Sequence, residues 1–433
     1  RFTRSGTAAA PVLLTRERCR LDAIRAIAVN SGNANAATGS MGLQDAAKMQ
    51  GAGAMAAGVS EDQVAICSTG VIGVPLDARA VVKGLAAARA DLRPGGAGDL
   101  QRSIMTTDLF EKRAALAVDL PGGTVRLTAQ AKGAGMIQPS FATMLCFVQT
   151  DAVLSAETAD LLLSVCVQRS FDRISVDGQL STNDTVILQA SGASGVVVEP
   201  ESDAERAFGE ALDALLRELA VAIVRDGEGS ERIGRVVVRG GNMPNVERTA
   251  RAIANSPLVK TALHGGDPNW GRIVQAAGMA VVDAAPLTVD VSIEGVQVCV
   301  AGQAIGQRQR DEGVEAKRHL RTRRMVAPVD VRADPGQVGQ RVSERNARDT
   351  HRQARSDQTG RGTKVQRTLH DGVKQQDRKQ EKVHQALHRL PHGTVQRRVP
   401  AQEIPAQNQG KIGEEKLRVV HGSRIPSIRL RCG

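Results

Sequence analysis

Histidine is almost missing from most of this chain. Of eight histidines in 433 residues, seven fall after residue 300, and only His264 precedes them. A Ser-His or Cys-His couple built within residues 1–263 would have to recruit His264 or a residue from the far end. A hydrolytic or acyl-transfer site there needs another base. A free α-amine, with an ordinary pKa of about 7.7–8.0, is available near neutral pH. The six cysteines (Cys19, Cys67, Cys146, Cys166, Cys299, Cys432) form no CxxC pair and no metal-like cluster, so no metal site is expected. Most stand in apolar runs and read as small core residues of a reducing compartment. No apolar run reaches 18 residues, and the short AAAPVLL near the start is interrupted by Pro11. Neither a membrane span nor a secretory signal is therefore expected, and the location expected is the cytoplasm. No GxxxxGK[ST] loop and no internal repeat is found.

The formal net charge is +11, which suggests a polyanion partner until the charge is located. Residues 301–433 hold 29 Lys+Arg against 14 Asp+Glu, or +15, leaving −4 for residues 1–300. The basic character belongs to the tail, which also contains no Phe, Trp or Tyr. A segment of that composition buries too little apolar surface to offset chain entropy, so residues from about 303 onward are expected to lack packed structure.

The first 300 residues interleave helix and strand patterns, which implies an α/β class. Strands are expected at 24–29, 64–67, 144–148 and 236–238, and helices at 43–58, 156–171 and 246–262. Ser202 and Glu205 have capping-box spacing. After them Phe208, Leu212, Leu215, Leu219 and Ile223 recur every three or four residues, the core face of an amphipathic helix. Two hairpins are expected, around Pro121-Gly122-Gly123 and around Glu294-Gly295. The length suffices for two or more domains.

Residues 132–151, KGAGMIQPSFATMLCFVQTD, hold the most informative seam, Ala142-Thr143. It can be a loop entering a buried strand, with Thr143 an ordinary β-branched residue. It can also be a self-cleaving bond that leaves Thr143 as a new N-terminus, its hydroxyl the nucleophile and its amine the base. The shortage of histidine favours the second.

That segment resembles the processing site of the ornithine acetyltransferases, the glutamate N-acetyltransferases of arginine biosynthesis. Six further blocks resemble the same family, in its order: VNSGNANAATG (29–39), STGVIG (68–73), MTTD (105–108), VDGQLSTNDT (176–185), IVRDGEGS (223–230) and RAIANSPLVKTAL with DPNWGRI (251–273). Together they are highly specific, whereas any one Gly-x-Gly would be weak. The resemblance implies a two-lobed α/β fold and cleavage between Ala142 and Thr143. It implies residues 1–142 as the β chain and 143–302 as the core part of the α chain, assembled as an α2β2 heterotetramer. It assigns Thr143 as nucleophile, Thr69 and Gly70 as the oxyanion hole, and Thr106, Lys132, Thr143 and Glu228 as substrate-binding residues. The substrates implied are N2-acetylornithine and glutamate, with no cofactor; acetyl-coenzyme A as an additional donor cannot be read from the motifs. Read by themselves these residues have plainer roles: Ser68-Thr69-Gly70 a turn towards a helix near Pro75, Thr106 an N-cap, Lys132 a solvated surface residue and Glu228 a helix-end carboxylate. Asn183-Asp184 is assigned only to the neighbourhood of the site.

From about Gly302 the resemblance stops. The family closes with an Asn-Ala-x-Tyr-x-Thr-like segment reaching the active site, and this chain has no tyrosine. A shifted reading frame and a lineage-specific basic extension (303–433) both fit, and two substrate contacts are left without a counterpart. The chain begins with Arg1, and FTRSGTAAAPVLL resembles an internal family segment, so residues before it are expected. Two alternatives remain. One is a nucleotide- or nucleic-acid-binding protein, using the Gly-rich loops as phosphate nests and the tail on a polyanion; a tail without aromatics for base stacking argues against it. The other is a catalytically impaired relative with an aberrant C-terminus.

Overall fold

The alternation on either side of Pro121-Gly122 forms the expected hairpin. Strand β3 (Lys112–Leu120) pairs antiparallel with β4 (Gly123–Lys132), with Leu120 opposite Gly123. The computed structural model describes residues 1–138, 144–240, 243–281 and 288–305, together with the backbone of Ala327–Ala333. All of these lie in the unit Arg1–Gly372. Strand β4 continues antiparallel to β5 (Leu145–Thr150), and β5 runs parallel to β6 (Thr185–Ala190). The register puts Lys132, Leu145 and Thr185 in one row at one end of this four-stranded sheet.

The run Leu145–Val148 is apolar without alternation because both faces of β5 are covered. On one face lie α5 (Ala156–Arg169) and α6 (Asp203–Arg225). Phe208, Leu212, Leu215, Leu219 and Ile223 of α6 are all buried and pack with Leu127, Cys146 and Val148 of the sheet, as their spacing requires. Ser202 caps α6 by accepting the Glu205 N–H at 3.1 Å, while Glu205 reaches back to the N–H of Glu201 at 2.7 Å, one residue before the partner a capping box uses. On the other face Leu145, Phe147 and Ile187 pack with Ala65, Cys67 and Ile104.

Those last contacts bring in a second sheet, the parallel pair β1 (Ala26–Asn33) and β2 (Val64–Val71). Around it lie α1 (Ala10–Arg18), α2 (Gly39–Ala57) and α3 (Ala78–Ala88), with α4 (Ala97–Ile104) preceding β3. Strand β2 runs beyond the expected 64–67 and carries Ser68, Thr69 and Gly70 within it, so that STG is strand rather than turn.

The third sheet has the order β10-β9-β8-β11-β7, with β7 at Gly234–Arg239, β8 at Val289–Ile293, β9 at Val296–Val300, β10 at Gln303–Ala304 and β11 at Ala327–Ala333. Glu294 (φ 54°) and Gly295 (φ 82°) make the expected turn between β8 and β9. The helix expected over 246–262 is instead two, α7 (Met243–Asn255) and α8 (Pro257–Gly265). Pro257 lacks the N–H that a continuing helix needs, and Ser256 caps the new one by accepting the Val259 N–H at 3.4 Å. Helix α9 (Trp270–Ala280) completes the cover, Ile273, Ala276 and Ala277 packing with Val289, Val291 and Ile293. Strand β11 lies beyond residue 303, where composition led to no expected element. It stands between β7 and β8, parallel to the first and antiparallel to the second. The remainder of the tail, and Cys432 with it, lies outside the described residues. Of the other cysteines, Cys19 is half-buried and the rest are buried, all as free thiols.

At the end of β2, Gly70 has φ 135°, and a Cβ there would stand 2.2 Å from the carbonyl carbon of Gly32 in β1. The backbone conformation alone costs a non-glycine residue about 1–3 kcal/mol, and the clash with β1 adds to it. Gly70→Ala should lower stability by more than that backbone cost, measured by urea denaturation. An unchanged midpoint would contradict the close approach of β1 and β2.

Candidate active site

Lys132 ends β4 with only 2% of its surface exposed, in the plane where β5 and β6 begin. Its ammonium donates to Thr69 Oγ1 at 2.7 Å, and Thr69 is itself 1% exposed. Burial lowers the Lys132 pKa from its ordinary value, with the Asp108 carboxylate opposing that shift. The contact has a chemical consequence. A hydroxyl that accepts from an ammonium keeps its own O–H to donate, and an ammonium has two more N–H bonds to give. Thr69 is thus a polarised donor, and Lys132 retains capacity for an anionic group.

Asp108 connects this pair to the neighbouring loops. Its Oδ1 accepts the Gly133 N–H at 2.7 Å and the Lys112 ammonium at 2.6 Å, and its Oδ2 accepts the Thr106 N–H at 3.2 Å. Burial pushes the Asp108 carboxyl up, but the Gly133 N–H and the Lys112 ammonium outweigh it and hold the pKa below the ordinary range. Lys112 also donates to Asp226 Oδ2 at 2.5 Å, and the side chains of Lys112, Asp108 and Asp226 are fully buried. Asp226 accepts the Leu109 N–H with both oxygens.

Two residues on, Glu228 turns back over the 133–135 loop. Its N–H donates to the Ala134 carbonyl at 3.1 Å, and its Oε1 accepts from Thr107 Oγ1 at 2.7 Å. The approach is close at Gly135, where a Cβ would stand 2.6 Å from the Glu228 carboxylate and would force that side chain to shift. The chain beyond is held by Asp177, which accepts the Met136 and Ile137 N–H groups at 2.5 and 3.0 Å. On the far side of the seam, the Met144 N–H donates to Asp184 Oδ1 at 2.9 Å. Burial raises the Asp184 pKa well above the ordinary carboxylate value, against the Met144 and Ser181 hydrogen bonds, and its Oδ2 has no partner among the described residues. The Asn183 side chain donates to the Ala34 carbonyl at 3.0 Å, joining the 29–39 loop to this corner.

The structure therefore brings Thr69 and Lys132 into direct contact and links Thr106, through Asp108, to the turn after Lys132. It places Glu228 over that turn, and Gly70 next to Thr69 against β1. Ala142 and Thr143 lie outside the described residues, which resume at Met144. Sequence reasoning passed over Lys112, Asp226 and Asp177. Lys112 left a signal, since it falls on the same face of β3 as Ala114, Leu116 and Val118, which pack on the core. Among the described residues no group of three or more His, Cys, Asp or Glu side chains is placed to hold a metal.

Asp184 provides a pH test. A carboxyl whose folded pKa lies above its unfolded value near 3.8 binds more protons when folded, so stability falls as pH rises from there through the folded pKa. Asp184→Asn keeps the Oδ1 acceptor and cannot ionise. Its stability relative to the unaltered protein should grow as pH rises from about 4 towards and through the folded pKa, read as denaturation midpoints across that range. A difference independent of pH would contradict a buried Asp184 with a raised pKa.

Comparison with known proteins bears on the chain as a whole. The sequence model of the ArgJ family matches residues 1–342, a span that takes in β11. The arginine biosynthesis bifunctional protein ArgJ of Symbiobacterium thermophilum is 42% identical over 334 residues, covering 77% of this chain and 82% of that one. The glutamate N-acetyltransferase of Methanocaldococcus jannaschii is 42% identical over 319 residues, covering 72% and 78%. Among solved structures, the ArgJ of Bacillus halodurans aligns with a TM-score of 0.41 at 33% identity, over 44% of this chain and 88% of that one. The chain belongs to the ArgJ family.

Proposed function

We propose that this chain carries the acetyl group of N2-acetylornithine to glutamate through an acetyl ester on Thr143. The broader class is that of its family, an acyltransferase of arginine biosynthesis acting on small amino-acid substrates. The observation that most supports the finer reading is the buried contact between Lys132 and Thr69, at the sheet end where β5 begins directly after the seam.

In this reading the bond between Ala142 and Thr143 is cleaved by the chain itself, leaving an α-amine at Thr143. That amine takes the proton of the Thr143 hydroxyl as Oγ attacks the acetyl carbonyl. Thr69 O–H and the Gly70 backbone donate to the oxyanion, donors of a kind that contribute about 3–4 kcal/mol each. Collapse of the tetrahedral intermediate breaks the amide C–N bond, and ornithine leaves with the proton. The α-amine of glutamate then attacks the ester, takes the acetyl group and restores the Thr143 hydroxyl. Lys132 offers its remaining N–H bonds to the α-carboxylate, Glu228 offers a carboxylate to an ammonium, and Thr106 lines the same loop. No cofactor is invoked, and acetyl-coenzyme A is a second candidate donor for the same ester. The cleaved chains assemble as an α2β2 heterotetramer in the cytoplasm.

Intact-mass analysis of the purified protein should find two fragments divided between Ala142 and Thr143, and Thr143→Ala should remain one chain. An unaltered protein that stays full-length while catalysing acetyl exchange would overturn the N-terminal nucleophile.

A further inference from the structure

Lys112 is a fully buried lysine that takes no part in the chemistry proposed above, and it touches two carboxylates, Asp108 at 2.6 Å and Asp226 at 2.5 Å. Such a burial is costly. Each ion carries a desolvation penalty, which close pairing and further hydrogen bonds must offset. An apolar residue continuing the run of Ala114, Leu116 and Val118 would fill the same face of β3 without that cost, so stability alone does not explain the cluster. What distinguishes it is the set of backbone groups it holds. Asp108 accepts the N–H groups of Thr106 and Gly133, and Asp226 accepts that of Leu109. The two carboxylates thereby tie together three segments distant in sequence: the 105–109 loop, which carries Asp108, the turn after β4, and the loop that follows α6, which carries Asp226. The first carries Thr106, the second follows Lys132, and the third carries Glu228.

We infer that Lys112, with Asp108 and Asp226, forms a positioning element that fixes the spacing of Thr106, Lys132 and Glu228, and so sets the affinity for the amino-acid substrate. The inference rests on the reading of those three residues as substrate contacts. The cluster lies close to charge balance: Lys112 and Lys132 stand against Asp108 and Asp226. The remaining carboxylate, Glu228, is bound by Thr107 on one oxygen and is the group left to meet an ammonium. Thr143 belongs to a different part of the chain, just before β5, and Thr69 is held within β2 by its pairing with β1, so loosening the cluster should act on binding more than on the chemical step.

The test uses two variants of the full chain, Asp226→Asn and Lys112→Met/Asp226→Asn. The first leaves the Lys112 and Lys132 charges facing one carboxylate. The second restores charge balance and still lacks the bridge between the loops. Both should be assayed for acetyl transfer from N-acetylornithine to glutamate and for their denaturation midpoints. We expect Asp226→Asn to raise KM for both amino acids at least tenfold with kcat changed less than threefold. The double variant should recover the midpoint but not KM. Recovery of KM together with the midpoint, or normal KM in either folded variant, would overturn the positioning role and leave only charge neutralisation. If neither variant folds, hydrogen exchange of the unaltered protein decides. Saturating ornithine should then slow the Thr106, Leu109 and Gly133 amides by one common factor, and unrelated changes would overturn the inference. If the unaltered chain shows no acetyl transfer, the substrate reading fails separately. The same variants are then compared by calorimetric titration with ornithine and with glutamate, a tenfold loss of affinity supporting the positioning role and an unchanged affinity overturning it.

Discussion

The register of β4 against β5 and of β5 against β6 is the constraint on which the site depends. It places Lys132 across from Leu145, and Leu145 across from Thr185, so β5 starts at the end of the sheet where Lys132 stops. A slip of one residue would turn Lys132 to the opposite face and break its contact with Thr69. Burial of both faces of β5 prevents that slip. Phe147 packs towards Cys67 and Ile104, while Cys146 and Val148 pack towards the helices α5 and α6. The packing that stabilises the strand also positions the end of the sheet that carries Lys132.

Around that end the polar groups are graded by charge. Lys132 and Lys112 share the field of Asp108, with Asp226 as the second counter-ion of Lys112, whereas Asp184 stands in a corner where burial favours its neutral form. Two carboxyls within one site region are thus shifted in opposite directions, because one has ammonium and amide donors around it and the other has fewer. Asp184 accepts the Met144 N–H and Asp108 accepts the Gly133 N–H, so each carboxyl anchors the backbone of a different strand end.

Much of this was legible in the sequence for specific physical reasons. The hairpin at Pro121-Gly122 and the core face of α6 followed from period and turn chemistry, and Thr69, Lys132 and Glu228 came from motifs in family order. Lys112 escaped because a lysine is assumed to be solvated unless its strand face is counted, and its partners lie 4 and 114 residues away. Ser256-Pro257 was read through because the apolar period continues across it, although the missing N–H ends one helix and Ser256 starts the next. Strand β11 was hidden by the charge around it. APVDVRA alternates apolar and polar residues, but it lies in a segment rich in Arg and Gln. The extension of β2 through Ser68-Thr69-Gly70 was missed since glycine argues for a turn, whereas here it allows the close approach of β1.

The central claim is that acetyl transfer passes through Thr143. The most direct measurement is to quench the protein with excess N-acetylornithine in the absence of glutamate and map the peptides by mass spectrometry. The account predicts that one peptide, beginning at Thr143, is heavier by a single acetyl group and loses it when glutamate is added before the quench. Acetyl transfer with that peptide unmodified throughout, or with the label on another residue, would contradict it.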